Sequence, residues 1–116
     1  MADLVRISVE PQRGVTVAAI DGELDIASVG DVKETLMRAV DGGAPGLVLD
    51  LTRVRYLDSA AVGVLFELAE RLRGSGQTLR LVLPDGALMR KTLLLTGVDR
   101  VAAIDSEVGA ALNALQ

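Results

Sequence analysis

The stretch Leu47 to Leu72, LVLDLTRVRYLDSAAVGVLFELAERL, constrains the fold more than any other part of the chain. It opens on the apolar run Leu47-Val48-Leu49, with Leu51 one step past Asp50, which is how a strand buried on both faces reads. After the turn at Asp58-Ser59 the period changes. Val62, Leu65, Phe66, Ala69 and Leu72 recur at intervals of three and four, giving a helix one inward face. Asp58 suits the N-cap, because its carboxylate can accept a bond from one of the first free helix N–H groups. Leu57 and Val62 then stand at the N′ and N4 positions of a hydrophobic staple. Ser59 becomes the first helical residue, its hydroxyl outward at the carboxyl end of the strand.

The rest of the chain supplies strands and helices to go with that unit. Val5, Ile7 and Val9 alternate with polar residues as a half-buried edge strand does. Pro11 to Gly14 reads as a turn leading into a second strand, Val15 to Ile20, so the pair is expected to be an antiparallel hairpin. Gly22-Glu23-Leu24-Asp25 is expected to leave that strand as a loop with an exposed acidic face. Ser28 with Asp31 reads as a capping box before the stripe Val29, Val32, Leu36, Ala39 and Val40. Gly42 to Gly46 stops that helix. Gly74-Ser75-Gly76 offers the left-handed termination that helices favour. A strand over Leu79–Leu83, a short helix from Ala87 to Leu95 closed near Gly97, and a strand over Val101–Ile104 follow. Asp105 or Ser106 then caps a last helix with Val108, Ala111, Leu112 and Leu115 inward. A hairpin followed by βα steps makes a small α/β domain over residues 1–116, with a mostly parallel sheet of about five strands and about four helices. Right-handed crossovers send each strand-to-helix loop to one edge. That edge is expected to gather Gly22 to Asp25, Asp58-Ser59 and Pro84-Asp85 on one surface.

Composition narrows the function. With 116 residues and half of them apolar, the chain can bury a core of its own. A formal net charge of -4 and only 2% aromatic residues argue against nucleic acid as a partner, which needs a basic face or stacking platforms. Cysteine and histidine are both absent. There is thus no thiolate or imidazole metal ligand, no cofactor is expected, and no Ser-His-Asp triad can be assembled. A hydrolase built on Ser59 has no base in sequence near it. A phosphorelay receiver needs a lysine after its last strand, whereas Lys33 and Lys91 both fall within helices. No signal peptide is expected from the residues after Met1, and no apolar run approaches the ~20 residues of a membrane span, so a cytoplasmic protein that does not engage the membrane is expected. Glu67 and Arg71 read as a solvated helix pair of little worth. Asp50 reads as satisfying backbone near a strand end, and Met37 and Met89 as core filler.

Three segments in order carry a resemblance: Gly22-Glu23-Leu24-Asp25; Leu49-Asp50-Leu51 leading to Leu57-Asp58-Ser59-Ala60-Ala61-Val62-Gly63; and Leu95-Thr96-Gly97-Val98-Asp99-Arg100-Val101. Together they resemble the STAS domain, and more closely its single-domain members, the bacterial anti-sigma factor antagonists. The resemblance implies a STAS-like fold and a non-enzymatic, partner-switching role. It implies that the chain binds an anti-sigma factor that is also a serine kinase, freeing a sigma factor. That kinase would phosphorylate Ser59 and end binding until a phosphatase removes the phosphate. The implied contact surface is Glu23, Asp25, Asp58, Ser59, Ala60, Ala61 and Val62. Where family members often carry a second hydroxyl residue and then Gly, this chain has Ala60 and Ala61. Ser59 is therefore the only acceptor in the turn, and Ala61 adds a methyl where a partner backbone would approach.

On residue chemistry alone Ser59 is also what a plain solvated first-turn serine looks like. The chemistry of a switch nevertheless suits it. Phosphate adds about -1.5 to -2 charges, which a helix N-terminus stabilises by roughly 0.3–1 kcal/mol, with Asp58 opposing. Burying that charge unpaired in an interface costs several kcal/mol, and ~3 kcal/mol is already more than a hundredfold in affinity. The fold tolerates the modification and an interface does not. The alternative within the same family is a STAS module that is never phosphorylated, a structural subunit of a transporter ATPase or signalling assembly.

Overall fold

The computed structural model describes residues 5–116. It contains five strands, β1 (Val5–Gln12), β2 (Val15–Leu24), β3 (Gly46–Leu57), β4 (Thr78–Val82) and β5 (Ala103–Asp105), and four helices, α1 (Val29–Ala39), α2 (Ser59–Gly74), α3 (Leu88–Thr96) and α4 (Val108–Leu115). A 3₁₀ turn at Val98–Arg100 precedes β5. The strands lie in sequence order, β1 antiparallel to β2 and every later pair parallel.

An order without reversal has a consequence for packing. Successive right-handed crossovers advancing in one direction deliver their helices to the same face. Val32 and Leu36 of α1, Leu65 and Leu72 of α2, Leu93 of α3 and Val98 accordingly share one core with Leu47, Leu49 and Leu51 of β3. Only α4 covers the other face, where Ala111 and Leu112 pack on Val15, Val17, Val48 and Val82. The alternation of β3 between these two clusters explains its continuous apolar run. The strand order also never reverses, so the sheet lacks the switch point at which open α/β sheets form a ligand crevice. Its carboxyl edge is a surface.

Several local expectations change. Gly22 to Leu24 is strand, not loop: β2 runs on alongside β3, with register shifts between Ala19 and Asp21 and between Gly22 and Glu23. Gly22, at φ 133, accommodates the second irregularity as only glycine readily does. Pro11 and Gln12 also belong to strand. The turn is Arg13-Gly14 alone, both at positive φ (54 and 79), as a type I′ hairpin requires. The capping box at Ser28 does not form. Its side chain makes no cap bond, because its hydroxyl is used within the preceding turn. Neither Asp105 nor Ser106 caps α4, whose N-cap is Glu107. The Asp105 carboxylate is held instead by Arg80 in a two-pronged pair at 2.8 and 3.2 Å. Glu67 pairs not with Arg71 but with Lys33 across the α1–α2 seam, at 2.7 Å. In α2 the fully inward positions include Ala61 and Leu68, while Val62 and Phe66 are half-buried at the edge of the core.

The last strand is Ala103–Asp105 rather than Val101–Ile104, because Val101 belongs to the turn that follows the 3₁₀ segment; other expectations hold locally. Gly76 (φ 73) and Gly97 (φ 82) end α2 and α3 in the left-handed conformation. Asp50 accepts from the Thr52 N–H at 3.0 Å, satisfying backbone where β3 leaves β4. Met37 and Met89 pack on the edge of the core.

Candidate functional site

The end of β3 sets the position of the site. β4 pairs with β3 only as far as Asp50, opposite Val82, while β2 accompanies β3 to Leu57, opposite Leu24. Leu57 lies seven residues past Asp50, roughly 23 Å of strand at ~3.3 Å per residue. β1 accompanies β2 as far as Gly22, so Glu23 and Leu24 paired with Tyr56 and Leu57 form a short two-stranded ribbon beyond the rest of the sheet. The turn at Pro84-Asp85 leaves the sheet at the lower level. It does not join the other two turns at their strand ends, and Asp85 meets Arg90 instead, at 3.5 Å.

At the top of the ribbon one carboxylate joins two turns. Asp58 is the N-cap of α2: its Oδ1 accepts from the Ala61 N–H at 3.0 Å, and its backbone carbonyl accepts from the Val62 N–H at 3.1 Å. Its Oδ2 accepts from the Ile26 N–H at 3.0 Å, 32 residues away in sequence. Its own N–H donates to the Leu24 carbonyl at 3.2 Å. The start of α2 and the β2–α1 turn are thereby tied into one platform.

That second turn is rigid for its own reasons. Asp25 Oδ1 accepts from the Ala27 and Ser28 N–H groups at 3.0 and 3.1 Å, an Asx turn. The Ser28 hydroxyl donates to the Glu23 carbonyl and accepts from the Asp25 N–H, at 3.0 and 3.1 Å. With the polar groups turned inward, the apolar side chain of Ile26 is left 80% exposed. Ser59 is exposed beside this turn, and among the described residues no hydrogen bond engages its hydroxyl. It stands at the first position of a helix whose last turn carries Arg71 and Arg73, so the helix ends are matched to its dipole.

The expected contact residues separate into those that can present a side chain here and those that cannot. Ser59 is exposed, and Asp25, Asp58, Ala60 and Val62 are half-buried around it. Ala61 is corrected: it is 2% exposed, with its methyl in the core and its N–H held by Asp58, so it offers nothing to a partner. Glu23 is corrected as well. It alternates with the buried Leu24 and pairs with Tyr56, which sends its carboxylate to the opposite face of the sheet. Its carbonyl, not its acid, belongs to the platform. Ile26 was not anticipated, although an apolar residue between Asp25 and Ser28 is the signal that could have found it.

Among the described residues there is no cluster of three or more potential metal ligands, and no helix is long and apolar enough to cross a membrane.

Comparison with known proteins agrees with this geometry. The STAS domain profile matches residues 6–111. The anti-sigma-F factor antagonist RsfB of Mycobacterium tuberculosis is 27% identical over 98% of this chain and 92% of its own. The solved anti-sigma factor antagonist from Mycobacterium paratuberculosis superposes with a TM-score of 0.85 at 28% identity, covering 96% of this chain and 93% of that one. The phosphorylated form of the Bacillus protein SpoIIAA shares the fold, with a TM-score of 0.70 at 20% identity over 96% of this chain and all of that one. A profile spanning nearly the whole sheet, the first three helices and the first half of α4 settles the question of kinship: the chain belongs to the STAS domain family.

Proposed function

We propose that this protein is an anti-sigma factor antagonist whose binding is switched by phosphorylation of Ser59. The antagonist role is supported by membership of the STAS family and by relatives that carry that role along their whole length. The partner is an anti-sigma factor with serine kinase activity, a phosphatase resets the switch, and the protein itself does no catalysis. It acts in the cytoplasm, where sigma factors work.

The observation that carries the switch is the setting of Ser59. Its hydroxyl is exposed on the first turn of α2, while the neighbouring Asp58 has both carboxylate oxygens engaged in holding the platform. A kinase can reach the hydroxyl without unfolding anything. The added phosphate would gain the helix dipole, roughly 0.3–1 kcal/mol, and would break no bond of the platform. A partner seated over Ile26, Ala60 and Val62 would instead bury a dianion against an apolar surface, at a cost of several kcal/mol.

The test is incubation with ATP and the anti-sigma kinases of the source organism, followed by intact-mass measurement and site mapping. One phosphate on Ser59, absent from Ser59→Ala, is the expected result. Unmodified protein with every such kinase would favour the alternative of a non-phosphorylated structural module.

A further inference from the structure

The two edges of the sheet are guarded unequally. β5, at one end, is three residues long. β1, at the other, runs for eight residues with one side unpaired. An edge of that length is a template for another strand unless something prevents pairing.

Which backbone groups β1 offers follows from its hairpin. A two-residue turn closes on a bond from the Val15 N–H to the Gln12 carbonyl, and antiparallel pairs alternate from there. Counting back through the unbroken β1–β2 register, Gln12, Glu10, Ser8 and Arg6 turn their backbone groups towards β2. Val5, Ile7, Val9 and the carbonyl of Pro11 therefore face outward. Proline lacks the N–H, which ends the usable ladder at that point.

The side chains on this edge have a symmetry of their own. Arg6 and Glu10 stand two residues either side of Ser8 on one face, and Ile7 and Val9 flank it on the other. Val9 is 41% exposed, and Glu10 accepts only a bond from the neutral amide of Gln12, at 3.0 Å. Among the described residues Arg6 has no carboxylate within ion-pair distance. We infer that β1 pairs with β1 of a second copy of this chain, antiparallel and two-fold about Ser8, forming one continuous sheet.

In that register Arg6 faces Glu10 of the second copy, and Glu10 faces its Arg6. Ile7 exchanges backbone bonds with Val9 of the second copy while their side chains meet on the helix side. Any neighbouring register loses both ion pairs, so opposite charges that would otherwise only discourage pairing here select one arrangement. Sterics allow it. β2 and its counterpart would lie three strand spacings apart, about 14 Å, which leaves the α1 helices above them clear of the 8–10 Å at which helices touch. One strand pair buries less than a standard interface, so a weak, concentration-dependent dimer is expected. No residue of β1 belongs to the Ser59 platform, which follows the ends of β2 and β3.

Sedimentation velocity from about 10 µM to about 1 mM tests this. The parent protein should pass from monomer to dimer. Arg6→Glu and Glu10→Arg should each weaken dimerisation by at least about tenfold, since each turns two attractive pairs into repulsive ones. The doubly reversed variant should recover parental behaviour. Circular dichroism confirms that all three variants are folded. A parent protein that stays monomeric overturns the inference and leaves the edge to an extended segment of some other protein. A dimer indifferent to either single reversal overturns it too, because the copies would then meet elsewhere.

Discussion

The two halves of β3 are neighbours in sequence and opposites in environment. Gly46–Leu51 lies between β2 and β4, with Leu47, Leu49 and Leu51 in one core and Val48 in the other. Thr52–Leu57 has only β2 beside it, and Thr52, Arg53, Arg55 and Tyr56 are exposed. The lower half is core on both faces; the upper half adds only Val54 to the core and carries Asp58 and Ser59 at its end. Separating the two tasks allows the chemistry at the tip to change without disturbing the core.

That separation can be broken from either end. The largest effect on stability should come from the lower half. Leu49→Ala, at a position 1% exposed, should cost about 2–5 kcal/mol in urea unfolding, yet leave partner affinity per folded molecule unchanged. Gly46→Ala belongs with it, because a Cβ there would run into the backbone carbonyl of Thr78, which cannot yield as a flexible side chain can. Equal loss of affinity and stability in Leu49→Ala would show that the two halves are not separable.

Asp58→Ala should come next, at about 1–2 kcal/mol, from loss of the N-cap together with the tie to the β2–α1 turn. Unlike the core variant it should also weaken partner binding, and hydrogen exchange at Ile26 and Ala61 should rise together. Exchange rising at Ala61 alone would mean that the tie to Ile26 contributes nothing.

Ser59→Glu should have the smallest effect on stability, within about 0.5 kcal/mol, as surface substitutions usually do. Its effect on binding should be large, a hundredfold or more by the charge argument. A pull-down in which the glutamate variant binds like the parent would break the comparison at its functional end.

Much of this was legible in the order of residues, and the failures share a cause. The β3–α2 unit could be read because each of its signals is local: an apolar run, a change of period, and a cap residue one step before the helix. Ser28 misled because the same hydroxyl can serve a helix start or a preceding turn, and only the path of β2 decides between them. Glu23 was expected on the contact surface because Gly22 to Asp25 reads as a loop with an exposed acidic face. The extension of β2 through Leu24 placed its side chain on the opposite face. Ala61 looked like a contact residue by its position near Ser59, but one turn of helix was enough to direct it inward.

The sequence by itself determined most of the parts: where the strands and helices lie to within a few residues, that the helix after β3 begins at a capped serine, and that histidine and cysteine chemistry are absent. Those are properties of neighbours along the chain, where periodicity and hydrogen-bonding groups act over a few residues. Only the tertiary structure decided that β2 and β3 outrun β4, that Asp58 reaches the Ile26 N–H, and that Pro84-Asp85 leaves the sheet below the level of Ser59. Register and bulges depend on how distant strands pair, and no local preference encodes where one strand stops against another.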